Sequence, residues 1–232
     1  MKESTYDKII LDDHPVLYLP LNETSGTIAH DLSGYGNDGA IQGGVTLGQP
    51  GPFFSGDTTM EFNGSSGLVA VPDASSLNPA TGLTMEAWAN PASIPTAGNY
   101  FAIFEKEEGI GQRINGAYYF SFDSNAKLAI YLEGPAIPGY MESTIAIKTN
   151  VWAYLSATWD GDTLRLYING NPAGSYTVPG AIARRVGQLS VGYGDPGNAR
   201  WFPGFIAKVA VYNYALTPQR IAYHYKAALT HL

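Results

Sequence analysis

Apolar and polar residues alternate with a period of two along Leu164-Arg-Leu-Tyr-Ile-Asn169, so that Leu164, Leu166 and Ile168 share one face and Arg165, Tyr167 and Asn169 the other. That alternation predicts a half-buried strand. Upstream, Trp152–Trp159 carries β-favouring aromatics. Between the two runs, Asp160-Gly161-Asp162 supplies turn chemistry, with a glycine free to take positive φ. Asn169-Gly170-Asn171-Pro172 makes a second tight turn close behind, and the segment reads as a β-meander.

The same punctuation predicts strands at Val16–Leu21, within residues 31–44, and at Thr59–Phe62, Leu68–Val71, Leu83–Ala89 and Phe101–Lys106. Further strands follow at Ala117–Phe122, Lys127–Leu132, from Tyr140 onward, Gly187–Tyr193 and Phe205–Tyr212. Pro20 inside the first of these points to an edge position or a bulge. The total, roughly 12 to 14 strands, is enough for two packed antiparallel sheets. Two helices frame them. Ser4 to Leu11 has Ser4 as N-cap with Asp7 three positions on. Thr217-Pro218 opens the second helix, where Ile221, His224, Tyr225 and Ala228 recur at helical spacing, so Pro218–Leu229 is expected to lie on the sheets. The expected organisation is a lead-in over residues 1–14, a β-sandwich over 15–216 and a terminal helix over 217–232.

Composition narrows the class. With 13 basic and 20 acidic residues, a net charge of −7, and no basic cluster beyond Arg184-Arg185, nucleic acid is not an expected partner. The absence of cysteine removes disulfides, thiolate metal sites and thiol nucleophiles. No stretch approaches the apolar length of a membrane span, and Met-Lys-Glu-Ser-Thr-Tyr-Asp-Lys lacks the apolar run of a secretory leader, so membrane insertion and general secretion are not expected. Gly34-Tyr-Gly-Asn-Asp-Gly39 and Gly192-Tyr-Gly-Asp-Pro-Gly197 match a dinucleotide-binding spacing, but neither is followed by a helical pattern, and both read as turns.

The meander also carries a resemblance. Val151-Trp152, Ala157-Thr-Trp-Asp-Gly161 and Leu164-Arg-Leu-Tyr-Ile-Asn-Gly170 resemble the signature of laminin-G-like members of the concanavalin A-like lectin/glucanase superfamily. So do the Asp31–Gly39 turn, Phe62-Asn-Gly-Ser65, Met85-Glu-Ala-Trp88, Phe202-Pro-Gly-Phe-Ile206 and Val211-Tyr-Asn-Tyr-Ala-Leu216. These run in order from about Pro15 to Tyr225. The resemblance implies an all-β, two-sheet antiparallel jelly-roll sandwich, with chain relatives in phage virions and on bacterial surfaces.

Because that superfamily includes glucanases, the resemblance makes a pair of catalytic acids a candidate chemistry. A retaining glycosidase needs two carboxylates about 5–5.5 Å apart. The nearest run, Glu105-Lys-Glu-Glu108, has Ile110 where a third acid would stand, and its charges read as the solvent end of a strand. His14, His30, His224 and His231 have no obvious carboxylate partner in sequence, and no catalytic residue is expected. The family's structural calcium would draw on Asp31, Asn37 and Asp38, but Ala207-Lys208 stands where the family has an acidic pair, so no metal or other cofactor is expected. The surplus chemistry is aromatic: 16 Tyr and 4 Trp. Tyr100, Tyr140, Tyr193 and Trp201 fall in or beside loops, close to Asn99, Asp195, Asn198 and Arg200, and these eight form the candidate ligand-binding set. The expectation is a non-catalytic lectin-like module on a virion or extracellular surface, meeting a glycan or cell-surface polysaccharide. Virion proteins or a second copy are further expected partners, and the alternative is an assembly protein that binds no sugar.

Overall fold

The computed structural model describes residues 4–53, 56–107, 117–134, 139–194 and 200–230. A short helix, α1 (Thr5–Leu11), leads into β1 (Leu17–Leu19), β2 (Ile28–Ala29), β3 (Gly39–Gln42), β4 (Val45–Pro50), β5 (Thr58–Asn63), β6 (Leu68–Val71), β7 (Leu83–Pro91) and β8 (Tyr100–Lys106). Then come β9 (Tyr118–Asp123), β10 (Lys127–Leu132), β11 (Met141–Ala146), β12 (Ala153–Trp159), β13 (Thr163–Ile168), β14 (Asn171–Thr177), β15 (Leu189–Val191), β16 (Pro203–Tyr212) and α2 (Pro218–Leu229). The strands form two 8-stranded antiparallel sheets, ordered β14-β13-β12-β7-β16-β5-β4, with β1 also on β16, and β11-β10-β9-β8-β15-β6-β3-β2.

The alternation in β13 resolves as its sequence requires. Leu164 and Leu166 are fully buried between the sheets with Phe62, Phe104, Phe120, Phe122 and Trp159, while Tyr167 faces the opposite side. Both turns of the meander form, and Gly170, at φ +72°, shows why the second needs glycine: a Cβ there would come 2.9 Å from Tyr225 of α2. Two strands exceed the expected number. β2 is only two residues long, and β4 contains Gly48 and Pro50, which mask its pattern; among the described residues β4 pairs with β5 alone. β15 is shorter than the run Gly187–Tyr193 suggests.

The outer face of the first sheet is covered by both helices. α1 has the Ser4/Asp7 capping box, and α2 has the Thr217 cap with proline in its first turn. Together they bury Tyr6, Ile10, Ile221, Ala227 and Ala228 against Trp88, Tyr154, Tyr167 and Tyr212. Charge is buried with them. Lys208, at φ +55° where the β16 register shifts, sits 3.3 Å from Asp7 and 3.2 Å from Asp57 with its side chain 1% exposed. His224 corrects the sequence reading, because it has two carboxylate partners. Its Nδ1 lies 3.1 Å from Glu86 and its Nε2 2.8 Å from Asp13, which Arg220 also engages. The partners lie 138 and 211 residues away, a separation no local pattern reveals.

Candidate functional site

The outer face of the second sheet carries the polar aromatics. Strand alternation sends Phe104, Phe120, Leu128 and Ile130 inward, so the residues between them turn out. Register then sets a row across the sheet: Tyr131 opposite Tyr119, Tyr119 opposite Glu105, Glu105 opposite Ser190, and Ser190 opposite Ala70. A bulge between Ala102 and Phe104 is what brings Glu105 opposite Tyr119.

Over this row come Tyr100, at the start of β8, and Tyr140 and Arg200 from loops. Tyr100 and Tyr140 stack at 4.1 Å between centroids and 17° between planes. Tyr140 also lies 5.5 Å from Tyr131, which stacks on Tyr119 at 5.2 Å. The Arg200 guanidinium sits 4.9 Å over Tyr100 and 5.4 Å over Tyr140, donates to the Tyr140 hydroxyl and lies 3.7 Å from Glu105. Burial pushes the Tyr140 hydroxyl well above its ordinary pKa, and burial with the Glu133 hydrogen bond pushes Tyr131 to about 12. Both remain neutral donors at physiological pH.

Of the candidate set, the structure therefore joins Tyr100, Tyr140 and Arg200. Tyr193 and Trp201 form a second pair, 4.1 Å apart, held where residues 192–194 and 200–202 run side by side. Asn99 does not join them: its amide is spent on Thr96 in an exposed turn. Asp195 and Asn198 lie outside the described residues. Sequence reading missed Tyr119 and Tyr131, although their alternation with core residues in β9 and β10 is a usable signal.

The acids are not solvent-facing as the sequence suggested. Glu105 is fully buried and accepts a hydrogen bond from Ser121 at 3.0 Å; Gly194 packs so close that a Cβ there would come 2.1 Å from the carboxylate. Glu107 is 3% exposed and lies just past the end of β8. Glu108 and Ile110 lie outside the described residues. Lys106, between Glu105 and Glu107, turns to the other side and donates to Asp73 at 2.5 Å and to the Arg185 and Gly187 carbonyls.

The loop that could offer calcium ligands does not fit a metal. Asp31 already accepts from the Tyr18, Ser33 and Asn37 amides and the Ser33 hydroxyl, and Asp38 accepts from the Asp31 amide. Asn37 donates its side-chain amide to Val16 and Ser76. These groups staple a turn. Among the described residues no cluster of three or more acids and histidines is arranged to hold a metal, and no helix is long and apolar enough to cross a membrane.

The family model Laminin_G_3, of the concanavalin A-like lectin/glucanases superfamily, matches residues 63–222. The chain belongs to this superfamily. Among solved structures, this laminin-G-like chain is similar to the binding domain of Paraclostridial Mosquitocidal Protein 1, with 16% identity, a TM-score of 0.73, and coverage of 94% of this chain and 53% of that one. It is also similar to the binding domain of Botulinum Neurotoxin DC in complex with SialylT, with 15% identity, a TM-score of 0.68, and coverage of 94% and 52%. The chain thus spans about half the length of these toxin domains. Domain 4 of AbnA, a GH43 extracellular arabinanase from Geobacillus stearothermophilus in complex with arabinotriose, is matched almost whole, with 20% identity, a TM-score of 0.64, and coverage of 90% and 97%. At these identities the likeness is one of fold.

Proposed function

We propose that the chain is a non-catalytic, lectin-like module that holds a glycan against Tyr100, Tyr119, Tyr131 and Tyr140, with Arg200 fixing its orientation. The observation that carries this reading is the four-tyrosine cluster, part-buried at its rim and bridged by a guanidinium. Flat rings of that kind stack on the C–H faces of a sugar, and the Tyr140 hydroxyl, which accepts from Arg200, keeps its own proton to donate to a sugar oxygen, whereas that of Tyr131 is donated to Glu133. The arabinotriose complex of the similar arabinanase domain supports the class of ligand. The buried state of Glu105 supports a non-catalytic role, because its carboxylate is engaged by Ser121 and Arg200. We propose a virion or extracellular surface as the setting.

A glycan array followed by titration calorimetry tests the proposal. Tyr131→Ala and Tyr140→Ala are expected to weaken binding by at least about tenfold, the loss of roughly 1.4 kcal/mol that a truncated aromatic anchor gives up. Undiminished affinity in both variants would remove the site. Release of reducing ends that vanishes in Glu105→Gln would overturn the non-catalytic part.

A further inference from the structure

A second aromatic surface lies on the other sheet, at the end the helices leave uncovered. In the first sheet Ile206, Ala89, Met60 and Phe62 face the core, so Phe205, Asn90 and Glu61 turn outward, and register sets Phe205 beside both Asn90 and Glu61. Trp152, directly before β12, follows the same alternation: Ala153 faces the core opposite Ala89, which places Trp152 beside Asn90. Its ring lies 6.2 Å from that of Phe205. All four side chains are half-buried. The result is two solvent-reaching rings flanked by one amide and one carboxylate.

Trp152 is also one wall of a cleft. Among the described residues Phe53, Asp57, Thr58, Pro50, Pro52 and three glycines also line it, around an open volume of about 590 Å³, which lies within the range of about 300–1,000 Å³ usual for small-ligand sites. Asp57 has its Oδ1 3.2 Å from Lys208, while its Oδ2 is closed off from solvent, so tightly against Gly51 that a Cβ there would come 2.5 Å from it, and the Phe53 amide steadies the carboxylate. Burial pushes this carboxyl above its ordinary pKa, against the pull of Lys208. The Asp57 side chain keeps 14% of its surface open beside these aromatic walls, and a sugar hydroxyl is a donor of the size to meet a carboxylate there. With Glu61 close by and Lys208 almost wholly buried, an acidic sugar would meet repulsion without a free cation to offset it.

We infer that this cleft is a second saccharide-binding site, selective for a neutral sugar ring that stacks on Trp152 and hydrogen-bonds Asp57 and Asn90. It belongs to the opposite sheet from the tyrosine cluster and does not depend on that reading. Two such sites on the two outer faces would let one chain engage two branches of a polysaccharide and gain avidity without further contact.

The test is a titration of the isotope-labelled full chain with neutral oligosaccharides (arabinan, galactan, xylan and β-glucan fragments), with sialyllactose and oligogalacturonate as acidic controls. The indole resonances report separately, since Trp152 is in the cleft and Trp201 directly follows Arg200, which bridges the tyrosine cluster. At least one neutral sugar is expected to move the Trp152 indole and the Asn90 amide, and Trp152→Ala or Asp57→Asn is expected to weaken that binding by at least tenfold while Tyr140→Ala leaves it unchanged. Folding of each variant is checked by amide dispersion. An unmoved Trp152 indole with every neutral sugar, or equal response to the acidic controls, overturns the inference. Failure of the tyrosine cluster shows instead as loss of the Trp201 response alone.

Discussion

Replacing Lys208 with methionine is expected to cost about 3–5 kcal/mol of stability, the penalty for leaving buried carboxylates without their cation. For a chain of this size that corresponds to a melting temperature lower by roughly 6–20 °C. The ammonium lies between Asp7 and Asp57 with 1% of its side chain exposed, and its aliphatic stem is already buried, so methionine fills the space and removes only the charge. Asp7 shows the linkage. Burial raises its pKa, but Lys208 and the Tyr18 and Ser4 hydrogen bonds outweigh burial and hold it below its ordinary value. A depressed carboxylate stabilises the fold above its unfolded pKa and loses that contribution as pH falls. Thermal and urea unfolding of Lys208→Met check the expectation, and adding Asp57→Asn to the same chain should restore part of the loss. A change below about 1 kcal/mol would mean that water already reaches this pair.

The second large effect is set by pH. Burial opposes protonation of His224, but Glu86 and Asp13 outweigh it and raise its pKa from 6.5 to about 9. A raised pKa gives stability that is complete below 6.5 and is lost as pH climbs through 9. The separation is worth about 3 kcal/mol. The groups facing the imidazole are Glu86 from β7, Asp13 after α1, and Arg220 from its own helix through Asp13. Tyr6, Tyr154 and Tyr212 nearby are pushed well above 10 by burial and do not titrate in this window. Urea unfolding at pH 6.0 and 9.5 should therefore show a loss of about 3 kcal/mol in the native chain that His224→Gln lacks. Parallel curves for the two proteins would remove the imidazole from the account. Because His224 ties α2 to the first sheet, the protection factors of the α2 amides, corrected for the intrinsic rise of exchange with pH, should fall over the same pH range.

How much was legible in the sequence differs by element. The meander could be read because its information is local: period-two alternation over β13 and glycine at both turns fix strand, face and turn within a few residues of each other. The helices were legible for the same reason, through Ser4, Asp7, Thr217 and Pro218. The proposed binding face was half legible. Tyr100, Tyr140 and Arg200 stood out as aromatics and a cation near loops, whereas Tyr119 and Tyr131 sit in strands and acquire their place from the β8 bulge and from pairing across three strands. Asn99 looked equally suitable, but its turn consumes its amide.

Local chemistry thus determined the class of fold, the turns, both helix ends and the supply of polar aromatics, since each depends on neighbours within a turn or a strand. Tertiary structure alone decided where charge is buried and which polar aromatics share a surface. His224 meets Glu86 and Asp13, Lys208 joins Asp7 to Asp57, and Trp152 faces Phe53 because sheet order brings distant residues to one face. Such pairings are set by sheet order and register, and neither property is carried by any short stretch of chain.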